Sequence, residues 1–403
     1  MNQVIVIGGG AAGMMAALTA AEDKNNRVLL LERQSRVGRK LLATGNGRCN
    51  LTNIHASIEN YHGEDRDFAA PALARFTPRD TLDFFHALGL LTVTEPSGRV
   101  YPLSDSANSV VDVLRFALAQ RGVELRCGCP VRELRREAAG YAVVTDEETL
   151  HAGDLIVACG GAAGAKLGGV MDGYELLKPL GHKRTGLYPS LVQLLTGTDY
   201  PRSLKGVRAD TALRLCGGDA VLAESGGELQ FTEKGVSGPA AFDISRAAAT
   251  GGAGLGLHID FLRQYTPDEL LRLLHRRRET FPTLESAELL TGMLHNRLGK
   301  MLLKAAGVPQ DMPLAALTER QLAAVAAICK DFTLPVTGTE GFDHAQVTAG
   351  GIRTAGFNAE TLESWFMPRL FVCGELLDID GDCGGFNLQW AWASGRLAGR
   401  LGR

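Results

Sequence analysis

Residues 3–7 (QVIVI) are a short apolar run that predicts a strand buried on both faces. Gly8-Gly-Gly10-Ala11-Ala12-Gly13 follows, and the small residues from there to about Glu22 predict a closely packed helix. A second apolar run, Arg27 to Glu32 (RVLLLE), completes a compact βαβ opening. Thr81–Leu88 and Ser109–Gly122 have helical periodicity, the second ended by its glycine. Val123–Leu134 and Tyr141–Thr145 read as strands. Another buried strand, Asp154–Cys159 (DLIVAC), then runs into Gly160-Gly161-Ala-Ala-Gly164.

The pattern changes after Tyr188-Pro189. Short alternating runs rich in glycine (ALRLC, GELQF, GLGLHID) predict a β-rich module over 189–262. TPDELLRLLHRRRETF, ESAELLTGMLHNRLGKMLLKAAG and TERQLAAVAAICKDF predict three helices, a module over 263–332. A return to the β-rich module is expected over 333–346, and the α/β domain begun in 1–188 resumes over 347–403. There a strand, Leu370–Cys373, leads through glycines and acids into a helix from about Asn387.

A chain of 403 residues needs two or three cores. With 45% hydrophobic and 22% charged residues it has the composition of a globular protein, and a formal charge of −3 argues against a dedicated nucleic-acid binder. The eight cysteines form no CxxC pair, which gives no metal or dithiol motif and fits a reducing cytosol. Cys127-Gly-Cys129 is read as lying in a strand. No apolar run reaches the length of a membrane span, and Val4–Ala21 lacks the basic start of a signal peptide.

The chemistry begins at Gly8-x-Gly10-x-x-Gly13. Between a strand and a helix, glycines at this spacing permit a tight turn, a close approach of pyrophosphate and close helix–strand packing. The helix N-terminus then offers N–H groups and partial positive charge to phosphate. Ala11 and Ala12 belong to that turn. Glu32, with Arg33 after it, ends the second strand 19 residues past Gly13, where an acid accepts a ribose 2′-OH. This much fits NAD or FAD. Next comes Val37-Gly-Arg39-Lys40-Leu-Leu-Ala-Thr-Gly45-Asn-Gly47-Arg48-Cys49-Asn50, a glycine-rich basic loop suited to wrapping a large, twice-charged ligand. Val131, Ala158, Gly160 and Gly161 are candidates to touch its middle, Gly160 and Gly161 at a strand end. In the C-terminal stretch, Gly374, Glu375, Asp378, Asp380 and Gly385 are candidates along a ribityl chain, and the Asn387 and Leu388 amides at a helix start suit the flavin N1–C2=O edge. The three parts together favour FAD.

GRKLLATGNGRCNLTN, GRVYP, GELQFTEKGVSGP, VTAGGI and GELLDIDGDCGGFNLQWAWASG, in this order over nearly the whole chain, resemble the aminoacetone oxidase/BaiN-type family of FAD proteins. The resemblance implies a glutathione-reductase-like, Rossmann-type FAD domain interrupted by a β-barrel-like module and a small helical module. It also implies an FAD role for Gly8, Gly10, Gly13, Glu32, Lys40, Arg48, Asn50, Gly374, Asp380, Asn387 and Leu388. Members are associated with amine oxidation and with reduction of enone-containing steroids. The chain departs from the family's usual residues at Ala162–Leu167 and at Glu233-Lys234, which leaves amine and enone substrates both open.

The expected function is thus an FAD-dependent oxidoreductase moving a hydride between a small or medium organic substrate, amine or enone-like, and flavin N5, with no catalytic residue assigned. No second strand–GxGxxG–helix unit is present, so NAD(P)H would visit the substrate pocket, or the electrons would leave to O2 or to a protein. A different class, an RNA-associated protein with structural FAD, rests on the basic stretches Arg272–Arg278 and Arg297–Lys304, although the triplet Arg276–Arg278 reads first as a solvated helix face. Cys49 and Cys383 read as packing rather than reactive thiols, His182 as a helix-end cap, Ser237 as an N-cap before Pro239, and Trp390 and Trp392 as core; Tyr188 either lines the site or makes a turn.

Overall fold

The computed structural model describes residues 1–197 and 200–403. They divide into two compact units, Met1–Tyr188 with Ala345–Arg403, and Pro189–His344.

In the first unit one parallel sheet has the order Leu370–Val372, Asp154–Val157, Asn2–Ile7, Asn26–Glu32, Glu124–Cys127. The opening strand is central, and Val4, Ile5 and Val6 are fully buried, which explains its unbroken apolar run. Strand order reverses about Asn2–Ile7, so a crevice is expected beyond its carboxyl end. The helix Ala11–Ala20 is buried at every position but Ala11. Its small residues admit the terminal helix Phe386–Ala398: a Cβ added at Gly395 would lie 2.3 Å from the Ala12 carbonyl oxygen. A second sheet, antiparallel, contains Thr52–Asn53, Arg99–Pro102 and Thr92–Thr94. A third contains Val131–Glu137, Gly140–Thr145 and Thr149–Ala152.

The second unit is a closed barrel of six strands, Leu194–Thr196, Gly235–Ser237, Ala220–Phe231, Arg208–Gly217, Leu255–Asp260 and Phe332–Thr339. Along Leu255–Asp260, Leu255, Leu257 and Ile259 point inward, alternating with half-buried neighbours. The helices Pro239–Thr250, Pro267–Thr280, Asn296–Ala305 and Glu319–Lys330 share one hydrophobic core with the barrel.

Three local expectations are corrected. The segment from Glu285 makes a single 3-10 turn at Ser286–Glu288 and an α-helix only over Asn296–Ala305, because Gly292 has φ +84° and turns the chain. Cys127 ends a strand, and Gly128, at φ +70°, makes a turn before Cys129, so the two thiols do not share a strand face. Ser237 ends a barrel strand; the cap of Pro239–Thr250 is Gly238, at φ +97°, with no side-chain hydrogen bond.

Candidate cofactor site

The three glycines of the opening turn are glycine for different reasons. Gly8 has φ +106°, and an added Cβ would lie 2.3 Å from the Ala158 carbonyl oxygen. Ala158 is itself fixed by its N–H donating to the Ile7 carbonyl at 2.8 Å. At Gly13 an added Cβ would lie 1.8 Å from the Gly8 carbonyl oxygen. Gly10 has ordinary extended geometry (φ −79°, ψ −171°), and nothing lies within 4 Å of where its Cβ would be. The space over Gly10 is open, and the helix Ala11–Ala20 behind it has neither a side-chain cap nor an acid in its first turn. Its N-terminal donors and positive end are therefore directed at that space.

Glu32 is buried at the strand end. Its Oε2 accepts the Gly9 N–H and its Oε1 the Gln34 N–H, both at 2.7 Å. The carboxylate thus braces the glycine turn, and a second lone pair on each oxygen is left for a hydroxyl. Arg33 turns to the surface and pairs with Asp172 at 2.9 Å. Arg39 donates to Gln34 Oε1 at 2.5 Å and to the Lys166 carbonyl at 3.1 Å.

The basic loop turns sharply: Gly45, Asn46, Gly47 and Cys49 all have positive φ, between +57° and +86°. Lys40 Nζ meets Glu375 Oε2 at 2.6 Å. Arg48 lies 2.8 Å from both Glu95 and Asp105, and its guanidinium carbon sits 3.8 Å from the centre of the Tyr101 ring. Burial pushes the Cys49 thiol up to about 12, so it is a packed thiol and no nucleophile. The Asn50 side-chain oxygen is buried without a hydrogen-bond partner, and a Cβ at Gly385 would come within 2.9 Å of it.

The C-terminal segment closes over the same region of the first unit. Gly374, at φ +76°, would place a Cβ 2.8 Å from Ala12 Cβ. Its N–H donates to Ser394 Oγ at 3.0 Å, and Trp390 Nε1 donates to its carbonyl at 3.1 Å. Trp392 Nε1 donates to the Leu51 carbonyl at 2.9 Å. Both tryptophans are core residues. Asp378 accepts the Glu64 N–H at 3.1 Å, and Asp380 is buried in a two-residue strand pairing with Tyr61–His62. The Asn387 amide accepts from Gly381 N–H at 2.8 Å and donates to the Gly381 carbonyl at 2.7 Å, closing the loop before the helix. Gly385, at φ +101°, then starts Phe386–Ala398, a second helix with no side-chain cap and no acid in its first turn. Leu388 is half-buried against the core. Gly160, at φ +73°, faces open space, whereas a Cβ on Gly161 would meet Thr348 Oγ1 at 2.5 Å and Glu375 Oε1 at 2.8 Å. Val131 is buried at the start of its strand.

Two uncapped helix starts offer donors to phosphate at one point and to a polar ring edge at another, the faces of Gly10 and Gly160 are open, and the unpaired Asn50 Oδ1 is an acceptor left for a ligand N–H or O–H. That set fits a flavin dinucleotide. Residues 2–401 match the profile of the family described as HI0933-like protein Rossmann domain. The chain belongs to the HI0933-like family. This is the BaiN-type family to which its motifs point, and the protein is an FAD-dependent oxidoreductase. Among HI0933-like relatives, the chain is similar to the 3-dehydro-bile acid delta(4,6)-reductase of Clostridium scindens, 40% identical over 93% of this chain and 92% of that one. It is also similar to the ribosomal RNA dihydrouridine synthase of Escherichia coli, 31% identical over 91% and 90%. In fold it is similar to 3-ketosteroid delta1-dehydrogenase from Sterolibacterium denitrificans, with a TM-score of 0.52, 15% identity and 99% of each chain covered. That likeness carries the fold of this HI0933-like protein and nothing further.

Several partners in the site have no local signature. Thr348, inside VTAGGI, donates its N–H to Glu375 Oε1 and accepts the Ala163 N–H at its hydroxyl, both at 2.9 Å. Tyr101, inside GRVYP, lies under Arg48, and nothing in the spacing of the two indicates it. Conversely, His182 is no catalytic candidate: it is buried, stacked on Phe357 at 4.5 Å, within 3.0 Å of Ser364 Oγ, and burial lowers it to about 4. Tyr188 is exposed at the end of the first unit. No helix among the described residues is long and apolar enough to cross a membrane.

Proposed function

We propose that this protein holds FAD along the open face of the first unit and reduces a carbon–carbon double bond conjugated to a carbonyl in a small organic molecule. The observation that carries this reading is the chemistry shared by two relatives with unlike substrates. One is named for reduction of a Δ4,6 bile acid, and the other for making dihydrouridine, which is uridine with two hydrogens added to such a double bond. The 40% relative favours the small molecule over RNA.

FAD, when bound, supplies hydride transfer at flavin N5. The chain's own residues supply the rest. With FAD bound, the N–H groups at Ala11, Ala12 and Gly13 would meet the pyrophosphate, Arg39 would add positive charge, and Glu32 would accept a ribose hydroxyl. Gly45, Gly47, Asn50, Gly160, Gly161, Gly374, Asp380 and Gly385 would hold its middle and ring edge. The amides of Asn387 and Leu388 would stabilise negative charge at that edge. A helix end contributes about 0.3–2 kcal/mol to an anion and a preorganised donor in a dry site roughly 3–4, so this region tunes the potential without supplying the driving force. NAD(P)H is the proposed electron donor, visiting the substrate pocket. The cysteines are free thiols, which supports a reducing, cytoplasmic setting.

The test is anaerobic. Protein bleached by NAD(P)H should regain its visible spectrum when 4-androstene-3,17-dione is added. Failure to recover with any enone, together with bleaching by amines and fast recovery in air, would overturn the reading in favour of an oxidase.

A second reading, action on RNA, rests on the relatives named ribosomal RNA dihydrouridine synthase. The basic groups weigh against it. Arg277 donates to the Glu288 carbonyl, Arg278 to Glu319 and the Leu317 carbonyl, Arg297 to the Ser203 carbonyl, and Lys300 pairs with Glu288. Binding of structured RNA at low salt that weakens steeply with added salt would restore it.

A further inference from the structure

A charge withdrawn from water needs a partner to replace its hydration, so a half-buried arginine without one points to a missing ligand. Arg99 is such a residue. It is half-buried, and its guanidinium makes no hydrogen bond and no ion pair with any described residue. Every other half-buried arginine among the described residues has one or the other. Arg48, for comparison, is matched by Glu95 and Asp105, both at 2.8 Å.

Sheet register fixes where the free charge sits. Arg99 pairs with Asn53, and Asn53 Nδ2 donates to the Gly384 carbonyl at 3.0 Å, which holds the Gly384–Gly385 turn against this strand pair. A Cβ on Gly384 would lie 3.3 Å from Arg99 Nε. A Cβ on Gly385 would lie 2.9 Å from Asn50 Oδ1, the buried acceptor that has no partner. Gly385 also starts the uncapped helix Phe386–Ala398. One two-residue turn thus brings together a free cation, an unpaired acceptor and the N–H groups of a helix start. The acceptor decides between ligands. A phosphate or carboxylate presents only acceptor oxygens, which Asn50 Oδ1 repels. The pyrimidine edge of a flavin presents carbonyl oxygens on either side of an N–H, so it offers acceptors to Arg99 and the helix start and a donor to Asn50.

We infer that Arg99 is a cofactor-binding residue, the positive charge set against the flavin N1–C2=O edge, where it favours the reduced ring. This deepens the proposed placement of FAD and rests on it. Arg99 transfers no proton, since a guanidinium keeps its charge throughout.

The test uses the FAD-saturated full chain as wild type, Arg99→Gln and Arg99→Lys. Arg79→Gln serves as control, since Arg79 pairs with Asp83 on the exposed side of the helix Pro78–Ala87. Two quantities are read. One is the dissociation constant of sulfite, whose addition at N5 sends an electron pair towards the same ring edge and bleaches the visible band. The other is the midpoint potential of the flavin. Loss of the charged contact should weaken sulfite binding in Arg99→Gln about tenfold or more. The potential should fall with it, by about 30 mV for each tenfold in a two-electron couple. Arg99→Lys keeps the charge without the planar fork and should recover most of the loss. The control should change neither quantity. Thermal melts of the FAD-free proteins should coincide, because the guanidinium has no partner in the folded chain to lose.

Unchanged sulfite affinity and potential in Arg99→Gln overturn the assignment, and a raised KM for an enone in that variant would then give the corner to the substrate carbonyl. An equal loss in the control also overturns it, by tracing the effect to net charge. A lower melting temperature of FAD-free Arg99→Gln overturns it in favour of a structural role. If Gly10→Ala weakens FAD binding while Arg99→Gln alters nothing, the placement of FAD stands and Arg99 falls; if neither affects FAD, the placement itself falls. If sulfite binding is lost as expected and the wild type reduces no enone, Arg99 stands and the proposed reaction falls.

Discussion

Lys40 and Glu375 are 335 residues apart in the chain, and Lys40 Nζ donates to Glu375 Oε2 at 2.6 Å. The other oxygen of Glu375 accepts the Thr348 N–H at 2.9 Å. One carboxylate therefore ties the basic loop to the strand that re-enters the first unit and to the Gly374 turn. Glu375→Ala leaves Lys40 without this partner and a backbone N–H unmet, a loss of about 1–3 kcal/mol. Glu375→Gln keeps an acceptor and should lose less. Chemical denaturation checks both, and the fluorescence of released flavin should show faster loss of FAD from the alanine variant.

Gly10 and Gly13 should respond in opposite ways to the same substitution. Gly13→Ala drives a methyl to 1.8 Å from the Gly8 carbonyl oxygen, which outweighs any gain in helix propensity and should destabilise even the FAD-free protein by about 3 kcal/mol or more. Gly10→Ala meets nothing and should leave the FAD-free protein within about 0.5 kcal/mol of wild type. Its methyl enters the space meant for the pyrophosphate, so FAD affinity should fall about tenfold or more. Thermal melts with and without FAD separate the two effects.

His182 makes stability depend on pH in a defined window. Its folded value, about 4, lies below the ordinary 6.5, because burial disfavours the imidazolium. The unfolded chain binds the proton more readily, so this contribution is complete above pH 6.5 and is lost as pH falls towards 4. The whole change is at most about 3 kcal/mol. His182→Phe should flatten that part of the stability profile. Equal slopes between pH 6.5 and 4 for variant and wild type would refute the assignment.

Thiol labelling should follow burial. Cys127 is exposed, while burial pushes Cys49, Cys159 and Cys329 up to about 12 and Cys373 higher still. Iodoacetamide at pH 8 should modify Cys127 well before these four, and mass spectrometry of the native protein reads the order directly. Early modification of Cys49 would contradict its role as a packed thiol.

Much of the opening βαβ unit was legible along the chain. The strand Asn2–Ile7, the turn at Gly8 and Gly13 and the acid at Glu32 obey rules that act within a few residues, and the structure keeps each where its spacing puts it. Local rules misled where one glycine took a positive φ inside an otherwise regular pattern, as at Gly128 and Gly292. Nothing in a periodicity distinguishes a glycine that continues an element from one that ends it.

The spacing of apolar residues and glycines determined by itself that this chain would build a nucleotide-binding βαβ opening and a β-rich stretch after Pro189, because backbone sterics and burial periodicity are local; that the stretch closes into a barrel came only with the resemblance and the structure. Only the tertiary structure decided that Lys40 would meet Glu375, that Arg48 would lie on Tyr101, and that Arg99 would stand beside Gly384. Those relationships depend on sheet register and on how distant segments pack, and neither is encoded within the few residues that a local pattern spans.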